Sequence, residues 1–264
     1  MNESAAILEN EAKGSPGRVD RPAGAPGRTV IIIPAHDEER NIGRVLEELR
    51  GLRLGFDVVV VNDASTDGTA HELERLHQKS LRLATNLGYG GAVQAGFKYA
   101  LSSGYDFLVQ MDGDGQHDPG SIPALIEAVH SGEADVALGS RFLGHVSYHV
   151  PVLRRMGIAL FRTVVSFFIG QRITDPTSGF QAMNRRVLEY YAGDTYPVDY
   201  PDSDVLLALH FAGFRIREVP VSMRPRIHGT SMHGGLKTVY YLAKMFLCIL
   251  AVLLRHWGRG RRQP

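Results

Sequence analysis

Cysteine is almost absent from this chain: Cys248 is the single one among 264 residues. No disulfide can form within the chain. That excludes the disulfide-stapled secreted scaffolds and fits a reducing compartment. Excess charge is missing too. Lys and Arg number 29 against 28 Asp and Glu, so a formal net charge of +1 gives no electrostatic argument for nucleic acid as a partner. No run reaches the roughly 18 uninterrupted apolar residues of a membrane-spanning helix. Residues 1–28 are rich in Ala, Gly, Pro and charge and lack an apolar core segment, so they read as a disordered leader with no secretory signal. Eleven histidines are present, but no pair has helical or finger spacing beside a carboxylate, which leaves a zinc site without support. No internal repeat is found.

What is present is an alternation of short apolar strands and amphipathic helices. Hydrophobic residues make up 44% of the chain, enough for one large α/β domain. Thr29 to Ala35 is a β-branched run and predicts a buried strand. Ile42, Val45, Leu46, Leu49 and Leu52 then recur at helical spacing. Strands follow at Asp57 to Val61, Leu81 to Ala84, Asp106 to Met111 and Asp135 to Leu138, with helices between them. This pattern predicts a mostly parallel sheet flanked by helices on both faces. Ligands in such sheets bind beyond the carboxyl ends of the strands. Ala35, Asp63, Asp112 and Arg141 all sit just past strand ends and can face one crevice. The second half is less regular: a long apolar helix from Pro151 to Ile169, a turn-rich segment from Thr174 to Phe180, a helix from Val205 to Phe211, a strand from Ile216 to Met223, and a last helix from Leu236 to Trp257.

The segment Met111-Asp112-Gly113-Asp114-Gly115-Gln116 carries the clearest chemistry. Two carboxylates stand one glycine apart at the end of a strand, and the glycines let the backbone turn and approach a ligand. Asp112 and Asp114 can share a hard divalent cation, with the Gln116 amide oxygen as a further ligand. Mg²⁺ or Mn²⁺ suits oxygen ligands and keeps open positions for substrate phosphates. The plain alternative is an acidic turn. Other motifs have equally plain alternatives: Pro34-Ala35-His36-Asp37-Glu38-Glu39 as a helix start, Asp63 as a turn residue, Ser140-Arg141 as a surface loop. The glycines at 88, 90 and 91 lack the spacing and trailing acid of a dinucleotide fingerprint.

Taken in order, these pieces resemble the family 2 glycosyltransferases with their GT-A nucleotide-sugar fold. The matching segments are Ile33 to Glu39, Val61 to Thr69, Asn86 to Ala92, Asp112 to Gln116, Gly139-Ser140-Arg141, Asp175 to Phe180 and Arg215 to Val221. Within the family the chain is most similar to the polyprenyl-phosphate sugar synthases of dolichyl-phosphate mannose synthase type, whose late Arg-x-x-Gly-x-Ser element matches Arg226, Gly229 and Ser231. The resemblance implies that Pro34, Ala35, Glu38 and Asp63 hold the nucleotide of a UDP- or GDP-linked sugar donor. It implies that Asp112, Asp114 and Gln116 bind the metal on the donor diphosphate. Arg141, one of Arg154 or Arg155, and Arg226 would grip phosphates, for which arginine's planar fork is suited. Asp114, Arg141, Asp175 and Asp202 are thus the candidate catalytic residues. The implied reaction is inverting transfer to a polyprenyl phosphate at the cytoplasmic face of a membrane. The implied layout is a GT-A domain over 29–234 and an interfacial helix with a basic tail over 235–264.

Two departures bear on the acceptor. Met232 stands where the synthase branch usually has Lys. Asp202, in Tyr200-Pro201-Asp202-Ser203-Asp204, falls where relatives that glycosylate hydroxyl groups carry their general base. A phosphate acceptor needs no base, whereas an alcohol does. Asp202 is therefore either a base, with a hydroxyl of a lipid-linked or surface glycan as acceptor, or a cap on the helix that follows. Asp175 is a further base or metal-positioning candidate, or a turn former before Pro176. Two rivals are weaker. A nucleotidyltransferase would carry a Gly-rich, basic signature where Pro34-Ala35-His36-Asp37-Glu38 stands. A scaffold without activity would not need intact Asp112, Asp114 and Gln116.

The membrane partner is read from the last helix. From Met245 to Leu254 it is apolar all round, followed by Arg255, Trp257, Arg259, Arg261 and Arg262. That is too short to span a bilayer and fits a helix lying in the interface, with the arginines on anionic lipid; the plain alternative is a core or dimer helix with a solvated basic tail.

Overall fold

The computed structural model describes residues 27–143, 152–197, 199, 201–225 and 236–260. The first strand, β1 (Thr29–Ala35), lies inside the sheet, and its consecutive β-branched residues are buried on both faces. Alternate side chains feed opposite cores: Val30 and Ile32 one, Ile31 and Ile33 the other. The amphipathic α1 (Glu39–Gly51) follows, then β2 (Asp57–Asn62), α2 (Thr69–Arg75), β3 (Ser80–Arg82), α3 (Gly88–Ser102) and β4 (Phe107–Gln110). A single 3₁₀ turn at Pro119–Ser121 leads into α4 (Ile122–His130), β5 (Val136–Ser140) and α5 (Val152–Ile169). The chain ends through β6 (Gln181–Asn184), α6 (Arg185–Tyr191), α7 (Ser203–Phe211), β7 (Ile216–Pro220) and α8 (Leu236–Gly260).

The strands form one sheet in the order β3-β2-β1-β4-β6-β5-β7. Pairing is parallel throughout except for β6, which runs antiparallel to both β4 and β5. The mostly parallel sheet expected from the alternating pattern is present. Helices α1, α2 and α4 cover one face, with Ile42, Leu46, Leu73 and Leu125 in its core. Helices α3, α5, α6, α7 and α8 cover the other, around Phe97, Phe161, Leu188, Leu207 and Ile249.

The strand β6 and helix α6 did not emerge from the sequence. Gln181-Ala182-Met183-Asn184 has neither β-branching nor clean alternation, and it is a strand because both neighbouring strands pair with it. Asn184 then caps α6 by accepting from the Val187 amide at 3.1 Å. The expected strand from Ile216 to Met223 ends at Pro220, although Met223 still bridges to His117. Residues 1–26, most of the predicted leader, lie outside the described residues.

Candidate active site

The parallel strands β1, β2 and β4 end at one edge of the sheet, so the loops after them converge. The first two loops lock together. Asp37 sits in the left-handed region (φ 56°), a conformation that Asp tolerates better than most residues. Its Oδ1 accepts the Thr66 amide at 2.7 Å, and its own amide donates to Ser65 Oγ. The Thr66 amide, together with Asp67 and His36, holds the Asp37 carboxyl below the usual range against a modest burial penalty. In return, the Glu38 amide donates to Thr69 Oγ1 at 2.9 Å, and the Glu39 amide to Asp67 Oδ2. The Ser65-Thr66-Asp67-Gly68 stretch thus serves helix initiation and the neighbouring loop together.

Asp63 is the hub of this edge. It is buried, and its amide donates to the Ala35 carbonyl at 2.9 Å. Its Oδ1 accepts the Leu87 amide at 2.7 Å, which ties the glycine-containing start of α3 to the second loop. Its carbonyl accepts from His36 Nδ1 at 2.8 Å, leaving the other ring nitrogen to accept from Asn86 Nδ2 at 3.1 Å.

The acidic turn lies beside it. Gly113 packs its Cα against the first loop, where an added Cβ would stand 3.2 Å from the Pro34 carbonyl. Gly115 takes φ 75°, which favours glycine. Asp114 is buried, and its Oδ1 accepts the Gln116 amide at 2.9 Å. Asp112 is held from several directions. Its amide donates to His117 Nδ1 at 3.0 Å, and its Oδ1 accepts the Tyr89 hydroxyl at 2.8 Å. Burial, reinforced by Asp112, pushes the Tyr89 phenol well above its ordinary range, so it stays protonated and donates. His117 is itself buried and stacks on Phe180 with ring centroids 4.6 Å apart.

A cleft of about 440 Å³ opens between these loops. Of the residues expected from sequence, Pro34, Ala35, Glu38, Asp63, Asp112 and Asp114 line it. His36, Asn86 and Tyr89 line it as well and had not been singled out. Asn86 precedes the glycine cluster and Tyr89 stands within it, which gave a clue to their location but not to their role. Gln116 is half-buried and does not line the cleft; its amide braces Asp114. Among the described residues, no three His, Cys, Asp or Glu side chains form a ready-made metal cage. Two carboxylates lining a cleft match a cation that takes its other ligands from substrate phosphates and water.

The other predicted residues lie elsewhere. Arg141 and Asp175 are buried together, outside the cleft lining. Arg141 Nε donates to Asp175 Oδ2 at 2.6 Å, a terminal nitrogen donates to Oδ1 at 2.5 Å, and the Arg141 amide adds a bond to Oδ2 at 3.0 Å. Glu218 on β7 fixes this loop by accepting the Thr174 and Asp175 amides. Asp202 occupies the N-cap position of α7, yet its side chain makes no capping bond there. The neighbouring Asp204 accepts the Asp202 amide at 3.2 Å. Burial raises the Asp204 carboxyl to about 6. Arg154 and Arg155 lie on α5, but their side chains are not among those described, and Arg226 lies outside the described residues.

Comparison with known proteins agrees with this architecture. Residues 30–191 match the family described as Glycosyl transferase family 2. The chain is 36% identical over 220 residues to undecaprenyl-phosphate mannosyltransferase of Micrococcus luteus, covering 79% of this chain and 89% of that one. It is 34% identical over 221 residues to polyprenol monophosphomannose synthase of Mycolicibacterium smegmatis, covering 79% and 82%. Its fold matches glucosyl-3-phosphoglycerate synthase from Mycobacterium tuberculosis, solved with Mn²⁺ and UDP-glucose, with a TM-score of 0.67 at 19% identity over 89% of this chain and 80% of that one. Sheet, cleft and family together define a GT-A glycosyltransferase. The chain belongs to glycosyl transferase family 2, in its polyprenyl-phosphate sugar synthase branch.

Proposed function

We propose that this glycosyltransferase moves a sugar from a UDP- or GDP-linked donor to a polyprenyl phosphate at the cytoplasmic face of a membrane, with Mg²⁺ or Mn²⁺ at the donor site. One observation carries the reading: a single cleft gathers the Pro34 to Glu38 loop, Asp63, Asp112 and Asp114 at the carboxyl edge of the sheet. The lipid phosphates in the names of two similar proteins support the acceptor class. The Mn²⁺ in the structural neighbour supports a divalent metal.

The residues divide the work as follows. The first loop and Asp63 receive the nucleotide, with Asp63 kept in place by the Leu87 amide. Asp112 and Asp114 would hold the metal, helped by Gln116, and the metal would neutralise the charge that grows on the departing diphosphate. Guanidinium groups at Arg154 or Arg155 and at Arg226 would meet phosphates of donor or acceptor. Arg141 is clamped by Asp175, and the buried pair ties the end of β5 to the segment that Glu218 fixes. The acceptor phosphate is already an anion and attacks the anomeric carbon without a base, in one inverting displacement.

Membrane attachment is assigned to α8. Met245, Ile249 and Leu253 pack inward, while Phe246, Leu247, Leu250, Leu254 and Trp257 form an exposed apolar stripe. Among the described residues, no helix is long and apolar enough to cross a membrane. An interfacial helix presents such a stripe to the acyl boundary, with Arg255 beside it at headgroup depth.

The hydroxyl-acceptor reading keeps one supporting observation: Asp202 sits at a helix N-terminus without using its side chain as a cap. Calorimetry with UDP and GDP, with and without Mn²⁺, tests the donor site. Binding that strengthens with Mn²⁺ and loses that gain in Asp114→Asn supports the proposal. Metal-independent binding contradicts it. Loss of less than about tenfold in rate for Asp202→Asn argues against the hydroxyl reading.

A further inference from the structure

Asp112 does not adopt its orientation unaided. Its Oδ1 accepts from the Tyr89 hydroxyl at 2.8 Å. That hydroxyl in turn accepts from Gln110 Nε2 at 3.0 Å. Gln110 is itself buried at the end of β4, two residues before Asp112. The hydroxyl is also walled in. A Cβ built on Gly179 would lie 2.6 Å from it and 3.7 Å from Asp112 Oδ1. The Ser178-Gly179-Phe180 segment therefore covers the contact, and a glycine is required for the two to fit. Tyr89 also lines the cleft. A neutral donor that is braced from behind and covered from above leaves a carboxylate few rotamers to choose from.

We propose that Tyr89 is a positioning residue for the donor site: its hydroxyl, braced by Gln110 and roofed by Gly179, presets the Asp112 carboxylate for a divalent cation. The inference rests on the reading of Asp112 as a metal ligand. A carboxylate oxygen has two acceptor positions, so the Tyr89 bond and a metal bond can coexist on Asp112. Partners that orient a ligating carboxylate typically change metal affinity by about 10- to 100-fold when removed. The position also explains why a tyrosine stands inside the glycine cluster. The start of α3 brings the ring to the cleft, where its hydroxyl bonds Asp112 in the acidic turn.

The test is Mn²⁺ titration followed by electron paramagnetic resonance in the presence of UDP, and again with GDP. The proteins are the wild type, Tyr89→Phe and Gly179→Ala, each with its thermal midpoint measured alongside. Tyr89→Phe deletes only the hydroxyl, and Gly179→Ala keeps it but displaces it. We expect Mn²⁺ affinity to fall about 10- to 100-fold in Tyr89→Phe and in the same direction in Gly179→Ala, without a matching loss in nucleotide affinity measured free of metal. A purely structural role would move the thermal midpoint and leave Mn²⁺ affinity in place, and that result overturns the inference. Wild-type protein that binds Mn²⁺ while Tyr89→Phe binds it equally well overturns this inference alone. Wild-type protein that binds nucleotide but no Mn²⁺ overturns it together with the metal reading. If Tyr89→Phe does not fold, the Gly179→Ala result decides.

Discussion

Replacing Asp175 by Asn separates two roles that the sequence left open for it. In the structure its carboxylate meets the Arg141 guanidinium through two charge-assisted bonds of 2.6 and 2.5 Å, and the Arg141 amide adds a third. The exposures are 5% for Arg141 and 0% for Asp175, so neither charge can turn to water. An asparagine keeps one acceptor oxygen but turns an NH₂ group toward a guanidinium that can only donate. Breaking one side of a buried pair costs roughly 3–5 kcal/mol, mostly for the charge left uncompensated. For a domain of this size that lowers the melting temperature by roughly 6–20 °C, at about 2–4 °C per kcal/mol. Thermal unfolding by circular dichroism reads this directly. Raised ionic strength should leave the wild-type contribution in place, because buried pairs are screened little. The double variant Asp175→Leu with Arg141→Met should recover part of the loss. A melting temperature that falls by less than about 2 °C while transfer activity disappears would refute this reasoning and make Asp175 a catalytic residue in its own right.

Further expectations concern pH and the membrane. The Asp204 carboxyl, raised by burial from 3.8 to about 6, favours its neutral form in the folded state. Its stabilising contribution is full below the unfolded value and is lost as pH rises through about 6. Asp204→Asn should therefore gain on the wild type by roughly 2 kcal/mol in unfolding free energy between about pH 4 and pH 8, and a pH-independent difference would contradict the assignment. Serine at Phe246, Leu250 and Leu254 removes exposed apolar surface without touching the core. At roughly 1 kcal/mol each, binding to anionic liposomes should weaken about a hundredfold in co-sedimentation, and unchanged binding would sink the interfacial role of α8.

Legibility in the sequence followed the range of the interactions. The β1 strand could be read because five β-branched residues in succession, Thr29 to Ile33, leave few other structures open to it. The acidic turn could be read because Asp and Gly at a strand end have a local meaning. β6 could not, since its Gln-Ala-Met-Asn sequence is extended only through pairing on both sides. The Arg141–Asp175 clamp joins residues 34 apart in the chain, and neither carries a mark of its partner. The same holds for Tyr89, whose hydroxyl acts 23 residues away. Asp63 was placed at a strand end from sequence, but its link to Leu87 depends on how α3 returns to the sheet edge. Local chemistry thus pointed to the cleft, while the contacts that make its side chains rigid came from tertiary packing.

The most direct test of the central claim is a transfer assay with Mn²⁺, a panel of UDP- and GDP-sugars and a short polyprenyl phosphate, read by mass spectrometry. The account predicts a glycosyl-phosphoryl-lipid, formed with inversion and abolished by removal of the metal. Donor turnover without that product, or a product glycosylated on a hydroxyl and lost in Asp202→Asn, would contradict it.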